Sequence, residues 1–449
     1  MSVTDRSHID VHEAWLPPDH PMHRPRHGGR QLIALICAGL FFLSPIITRS
    51  LGVQPARFEN RTLAEFGDPR SGWAWFTGLP AWAADNLPFR DSAVRAIETV
   101  SRGVFGEPVA LSVPMLGPMS GPMSGPMSGP PLEPTLRPPW GSPPADAANA
   151  PAPHPSIAAF PSVIEGRNGW LYLGADVSGA CVPSRSLTDT LVSLRRLRTA
   201  VEASGRQFVL VVAPDKTTMV PEYLPADYLG RDCSSRARDE FWRRVVAEAG
   251  AIDLRPALAE IAQRKGSPVY YPADTHWSQE GGLAMTYALA DRVEPGITRT
   301  WQVTPTGSIP WPDDISPLIG RSGERAIPTY SLSPAGQPDR TRSIVSDFRL
   351  PIRLTSAPAA GTVHQPVAMI ADSFTQFASR YLAAAFTDIT VVHPETVAAA
   401  PRSAGELLAG RKVVVLQVAE RSLLSGTSPI LLHPVMTEIT RQLAQHPPR

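Results

Sequence analysis

From about residue 160 onward the sequence predicts an α/β domain, a largely parallel sheet covered by helices on both faces. Three observations carry this expectation. Apolar runs of strand length recur without polar alternation, as in "QFVLVVA" (207–213), "VAMIA" (367–371) and "VVVLQVA" (413–419), and such continuous runs mark strands buried on both sides. Stretches with helical periodicity separate the runs. Turn and cap residues stand at the junctions between the two.

In chain order, Leu191, Leu194, Leu197 and Val201 fall on one face of a helix that Gly205 can end, and 207–213 follows as a buried strand. A second helix carries Phe241, Val245, Val246 and Ala249, with the short strand "AIDL" (251–254) after it. Ser278 reads as an N-cap, with Glu280 in the first turn of a helix running to about Val293. The Pro-rich stretch 296–362 breaks the alternation and reads as an irregular insertion. Strands at 367–371, "ITVVH" (389–393) and 413–419 complete the pattern, interleaved with helices. The domain is expected to span 161–449.

Upstream the organisation differs. Residues 1–31 form a tail with Arg24, Arg26 and Arg30, and the uncharged run "LIALICAGLFFLSPII" begins at Leu32. The expectation is an uncleaved signal anchor over 32–48, although the run is about one turn short of the usual span of roughly 20 residues. The arginines before it favour a cytosolic N-terminus and an exported bulk. A juxtamembrane helical segment is expected over 49–106. Residues 107–160 then read as a disordered linker, because "GPMSGPMSGPMS" and its proline-rich surroundings offer little to bury.

With 42 Lys+Arg against 41 Asp+Glu among 449 residues, the net charge is +1, which argues against nucleic acid as a partner. Of the three cysteines, Cys37 lies in the apolar run, while Cys181 and Cys233 would be exported, where they can pair or remain two free thiols.

Two local patterns carry chemistry. In "VAMIADSFTQF", Ser373 directly follows an apolar strand and precedes a helix, where its hydroxyl can be exposed and its own N–H can face developing negative charge. Asp372 beside it is a candidate pocket or substrate-binding residue, and Asp372 or Ser373 as an ordinary N-cap is the plain alternative. In "YYPADTHWSQEGG" (270–282), Asp274 and His276 stand two apart, so in extended chain both side chains lie on one side. A histidine held by a carboxylate can take the proton of a serine hydroxyl, which is otherwise a poor nucleophile. A structural role, or metal ligation of the metallophosphoesterase kind, are the alternatives. The companion motifs of that family are missing, and His364 and His393 sit in no recognisable ligand spacing.

Other charged residues fall at the same predicted sheet edge. Glu420 and Arg421 follow the last strand, and Lys216 follows the strand at 207–213. Arg421 and Glu420 could line a pocket or form a solvated pair. Lys216 could contact a polar substrate, buttress the active-site loops, or be a surface lysine. Trp277 is expected to pack behind the Asp274–His276 loop.

Taken together these residues resemble the AlgX/AlgJ family of alginate O-acetyltransferases. The resemblance rests on "GRNGWLYLGAD" (166–176), "VAPDKTTMVPEYLP" (212–225), "YYPADTHWSQEGG", "IADSF" (370–374) and "VAER" (418–421), with fainter matches at "FENR" (58–61) and "NLPFRD" (86–91). It implies an SGNH-hydrolase-like, flavodoxin-like three-layer sandwich with circularly permuted motif order, and a catalytic triad of Ser373, His276 and Asp274. It also implies an exopolysaccharide acceptor, a multipass membrane O-acyltransferase that delivers acetyl groups, a single-pass place in the bacterial inner membrane with the catalytic domain in the periplasm, and no cofactor or metal. Ala371 departs from the Gly-Asp-Ser pattern. No C-terminal carbohydrate-binding module like that of AlgX is expected, which with the anchor brings the resemblance closer to the AlgJ type. An acetylesterase using the same triad, or a non-catalytic polysaccharide-binding scaffold, are the competing functions.

Overall fold

The computed structural model describes residues 28–51, 66–72, 75–79, 82, 96–97, 99–101 and 157–446. The repeat-bearing linker expected over 107–160 lies, up to residue 156, outside the described residues, as do most of 49–106 and residues 1–27. The chain divides into two compact units, Met1–Arg57 with Thr62–Asp91, and Phe58–Arg61 with Ser92–Arg449.

In the first unit the apolar run forms the helix Gly28–Ser50. Its described apolar side chains, among them Leu32, Ile33, Leu35 and Ile36, are exposed. Among the described residues no helix is long and apolar enough to cross a membrane, so the transmembrane anchor expected over 32–48 gains no support from the structure.

Among its described residues the second unit holds ten strands: β1 (Val163–Glu165), β2 (Leu171–Leu173), β3 (Gln207–Ala213), β4 (Ile252–Asp253), β5 (Gln302–Pro312), β6 (Glu324–Ser333), β7 (Ile352–Thr355), β8 (Val367–Ala371), β9 (Asp388–Val392) and β10 (Val413–Ala419). Six of them form the central sheet in the order β4-β3-β10-β8-β9-β7. Neighbours are parallel throughout except β7, which pairs antiparallel with β9 at the edge.

Side-chain alternation along these strands builds a three-layer sandwich. Phe208, Leu210 and Val212 of β3 pack on one face with Leu191, Leu194, Leu197 and Val201 of the helix Leu187–Ala203. Val209 and Val211 face the other way, toward Met285 and Leu289 of the helix Gln279–Val293. The first helix ends as expected, with Gly205 at φ +82, a left-handed conformation that costs glycine little.

Two expectations differ from what is observed. Val246 lies on the outer face of the helix Arg231–Ala249 and is 37% exposed, while Trp242, Phe241 and Val245 supply the buried face. The stretch 296–362 is not irregular: it contains β5 and β6, a long antiparallel hairpin, and β7. Its prolines Pro305, Pro310 and Pro312 sit on β5, a strand of this two-stranded hairpin outside the central sheet, where missing N–H donors are tolerated.

Cys181 and Cys233 form a disulfide with Cα atoms 5.3 Å apart, tying the helix Ala175–Cys181 to Arg231–Ala249. Closing a loop of 52 residues stabilises the fold by about 4 kcal/mol in the chain-entropy account.

The strand order also places the site. From β3 the chain moves outward to β4 on one side, and from β8 outward to β9 on the other, with β10 between β3 and β8. That reversal opens a crevice beyond the carboxyl ends of β3, β10 and β8, where ligands bind in open α/β sheets.

Candidate active site

At the end of β8, Asp372 turns the chain rather than lining a pocket. Its Oδ1 accepts the N–H of Phe374 at 3.1 Å, its Oδ2 accepts the N–H of Ala419, and fully buried Gln417 of β10 donates to Oδ1 at 2.9 Å. Gln417 also accepts from Thr375 Oγ1 at 2.8 Å. The cap reading of Asp372 therefore holds, and its assignment as a substrate contact is corrected. This lock sets Ser373, half-buried, at the start of the 3-10 helix Ser373–Phe377.

The partner loop is fixed just as tightly. Tyr270 and Trp277 pair across it in an isolated antiparallel bridge, and Trp277 Nε1 donates to the carbonyl of Phe374 at 3.0 Å. Trp277 is fully buried and meets the Phe374 ring edge-on, so it joins the histidine loop to the serine turn from behind. Gly282, in the following helix, is forced by closeness: a Cβ there would lie 2.2 Å from the carbonyl oxygen of Phe377.

These two supports bring the sequence-predicted trio together. His276 Nε2 lies 2.8 Å from Ser373 Oγ, and Nδ1 lies 2.9 Å from Asp274 Oδ1. The backbone N–H of His276 donates to the same Asp274 oxygen at 2.9 Å. Asp274 is 1% exposed and His276 5%, which strengthens every charge interaction here. Phe374 and Phe377 flank the imidazole, and Trp311 leans on Phe377 from the hairpin.

The hairpin adds three charged groups that sequence reasoning missed. Asp314 Oδ2 lies 3.2 Å from His276 Nδ1, and Asp314 Oδ1 accepts the N–H of Thr275 at 2.7 Å. Arg325 Nη1 donates to Asp274 Oδ2 at 2.9 Å, and its other terminal nitrogen pairs with Asp313. The one signal available was the adjacent aspartates of "WPDD" inside an otherwise apolar, proline-rich stretch.

Electrostatics follow from these contacts. Burial alone would lower the His276 pKa, but hydrogen bonds to Asp274 and Asp314 override it and raise the value to about 9. For Asp274 burial acts upward, and the His276 hydrogen bonds with the nearby Arg325 charge bring the net shift below the usual carboxylate range. Asp274, His276 and Asp314 also offer three ligand atoms within 4.8 Å of one another. Both ring nitrogens of His276 are engaged, however, Nδ1 by the two carboxylates and Nε2 by Ser373, so the three form a hydrogen-bonded set.

The remaining expected site residues serve the scaffold. Lys216 is fully buried, so it is no substrate contact; its Nζ donates to the carbonyls of Tyr271, Pro272 and Asp274 at 3.1, 3.0 and 2.7 Å. It is the buttress of the histidine loop, and burial pulls its pKa down to about 8 against the pull of Asp314 and Asp274. Glu420 is likewise fully buried and is no pocket residue. It accepts the N–H of Asp215 and the hydroxyl of Thr218, both at 2.9 Å, joining the loops after β3 and β10, and burial raises its pKa to about 7. Arg421 keeps 18% of its side chain exposed, beside the Phe374 ring, and is held from behind by Asp215 at 2.8 Å and Asp176 at 3.7 Å. It is neither solvated nor paired with Glu420.

Fold and site together define a class: a three-layer α/β domain with a largely parallel sheet, at whose carboxyl edge a serine, a histidine and an aspartate are joined in one hydrogen-bonded relay. Residues 163–311 match the family described as "ALGX: SGNH hydrolase-like domain, acetyltransferase AlgX", and the AlgX/AlgJ-type resemblance read from the motifs is thereby borne out over that stretch. It contains Asp274 and His276, while Ser373 lies beyond it. A probable alginate O-acetylase AlgJ of Azotobacter vinelandii is 27% identical over 139 residues, which is 30% of this chain and 34% of that protein. The chain thus matches about a third of the length of such relatives. Among solved structures, the O-acetyltransferase domain of Pseudomonas putida AlgJ is similar at a TM-score of 0.43 and 18% identity, covering 62% of this chain and 99% of that one. Pseudomonas aeruginosa AlgX is similar at 0.43 and 13%, covering 65% and 68%.

Proposed function

We propose that the chain is an O-acetyltransferase that moves acetyl groups onto the hydroxyls of an exopolysaccharide, alginate-like or cellulose-like, through an acetyl-serine at Ser373. The observation that carries this reading is the continuous contact Asp274 Oδ1–His276 Nδ1 and His276 Nε2–Ser373 Oγ, at 2.9 and 2.8 Å. In the first step His276 takes the Ser373 proton as Oγ attacks the acetyl carbonyl, and the tetrahedral intermediate expels the donor's leaving group, which takes the proton from His276. In the second step His276 deprotonates a sugar hydroxyl as it attacks the acetyl-serine carbonyl, and collapse of this tetrahedral intermediate breaks the bond to Ser373 Oγ, which takes the proton back from His276. Asp274 holds the ring tautomer and balances the imidazolium. The backbone N–H of Ser373 is the first oxyanion donor in this scheme.

The acceptor class is supported by the names of the relatives, alginate O-acetylases. The same proposal has acetyl groups delivered by a multipass membrane O-acyltransferase. It places the domain in the periplasm, attached to the inner membrane through the helix Gly28–Ser50. The Cys181–Cys233 disulfide, which suits an oxidising compartment, supports the exported placement. Cell fractionation checks it: the chain should be released from membranes by detergent and not by salt, and recovery in the cytosolic fraction with both thiols alkylatable would refute it.

The competing function, hydrolysis, differs only in whether water or a sugar hydroxyl reaches the acyl-enzyme first. Given an activated acetyl ester and a soluble polysaccharide, the protein should place acetyl on polymer in excess of free acetate. Acetate alone, across alginate and neutral glucans, would make it an esterase.

A further inference from the structure

The triad reading leaves Asp314 without a role, yet its Oδ2 lies 3.2 Å from His276 Nδ1, against 2.9 Å for Asp274 Oδ1. We infer that Asp314 is a positioning residue for the same reaction, a second carboxylate that shares the His276 Nδ1 proton with Asp274. This inference rests on the proposed Ser373–His276–Asp274 relay.

Geometry argues for it first. Asp274 is fully committed: Oδ1 takes both the His276 backbone N–H and Nδ1, and Oδ2 is held by Arg325 at 2.9 Å. Asp314 approaches Nδ1 from the hairpin with Oδ2 at 3.2 Å, while its other oxygen is pinned by the Thr275 N–H at 2.7 Å. The ring N–H is therefore shared between two oxygens that come from different parts of the fold. One is set by the loop beneath it and the other by the end of β5.

Charge balance argues for it second. The charges gathered at His276 are Asp274 on its own loop and Asp314 from the end of β5, which contact the ring, with Arg325 from β6 pairing Asp274 and Asp313 behind them, and Lys216 below the loop beside the Asp274 and Asp314 charges. Ser373 and the Phe374 and Phe377 rings, from the turn after β8, are uncharged. Three carboxylates against two cations leave one negative charge, which an imidazolium neutralises. Without Asp314 the surroundings would be neutral before the proton arrives. The imidazolium that forms as Ser373 or a sugar hydroxyl is deprotonated would then lack its counter-charge. Asp314 thus acts on the step in which positive charge develops, where a preorganised carboxylate is most effective.

The hairpin becomes part of the active centre on this account. A chain lacking the end of β5 would keep Ser373, His276 and Asp274 but lose one of the two acceptors of the ring proton.

The test compares Asp314→Asn with the unchanged protein, using an activated acetyl ester. Asparagine keeps an oxygen for the Thr275 N–H, so the loop stays in place, and it removes the charge at Nδ1. We expect kcat to fall about 10-fold or more with KM within about 2-fold, as for an interaction made in the transition state. The rise of kcat/KM with pH, which in the unchanged protein follows loss of the His276 proton near pH 9, should move to lower pH in the variant. Asp314→Glu, which keeps a carboxylate at this position, separates the roles: it should leave the pH profile close to that of the unchanged protein even where kcat falls. An Asp314→Asn protein with unchanged kcat and profile overturns the inference. So does an Asp314→Asn protein whose kcat falls with an unmoved profile, since that marks a purely structural residue. Ser373→Ala, run alongside, keeps the failures apart, because activity surviving in it would sink the triad itself.

Discussion

Replacing Ser373 by alanine is expected to lower acetyl transfer by at least about 10,000-fold, since a triad that loses its nucleophile keeps only the rate that binding and the oxyanion donors supply. The fold should be indifferent. Ser373 Oγ is half-exposed and its described hydrogen bond is to His276, whose ring remains held by Asp274 and Asp314. Neither the Asp372 cap nor its links to Gln417 and Ala419 involve the serine side chain. The unfolding midpoint should therefore stay within the range of a neutral surface substitution, about 0.5 kcal/mol. Activity assays and thermal melts on the same preparation check both halves. If acetyl transfer persists, either another nucleophile acts or the donor and acceptor react directly in the crevice, and the acetyl-serine scheme fails.

Lys216→Met is expected to have the second-largest effect, on stability and activity together. Methionine matches the length of the lysine stem but leaves the carbonyls of Tyr271, Pro272 and Asp274 without their buried donor. Orphaning buried acceptors costs about 1–3 kcal/mol each, so a total loss of roughly 3–5 kcal/mol follows after partial relaxation. The same carbonyls belong to the loop that carries His276. A displacement of about 1 Å at the base is worth on the order of 100-fold in rate. The ammonium also lies 5.3 Å from the centre of the Tyr172 ring and 5.7 Å from that of Trp170, so arginine, longer and planar, should not rescue the variant. Denaturant titration and activity measured well below the unfolding temperature separate the two losses. A Lys216→Met protein of unchanged stability would show that the loop holds itself.

Much of this site was legible in the sequence because its parts are local. Asp274 and His276 are two apart, and their pairing needs only an extended turn. Ser373 follows "VAMIA", and a fully apolar run of that length is what a strand buried on both faces requires. β3, β8 and β10 were legible for the same reason, their boundaries matching the apolar runs residue for residue.

What escaped was whatever depended on distant approach. Asp314 reaches the histidine, and Arg325 its partner Asp274, only because β5 and β6 pair into a hairpin, and proline in β5 disguised the strand signal. A strand outside the central sheet bears prolines that a central strand could not, so composition alone pointed to irregular chain. Lys216, Glu420 and Asp372 show a different limit. Each was expected at the crevice, and each lies near it, but the distinction between lining a pocket and bracing its wall rests on burial and partners. Those are set by "GRNGWLYLG" and the loops above β3 and β10, not by the residues' own neighbours in sequence. Val246 failed for a narrower reason: a valine beside Val245 satisfies the same apolar count, and only the position of the neighbouring helices decides which of the two faces inward.

The central claim, that Ser373 carries the acetyl group between donor and polymer, is tested most directly by a pulse and chase. The protein is treated briefly with an isotopically labelled acetyl ester, freed of excess ester, divided, and one half mixed with polysaccharide. Peptide mass spectrometry should find the label on Ser373 in the untreated half and absent from the Ser373→Ala protein. In the other half the label should leave the serine and appear on the polymer. Label on any other residue, or label on polymer formed by the Ser373→Ala protein, would contradict the account.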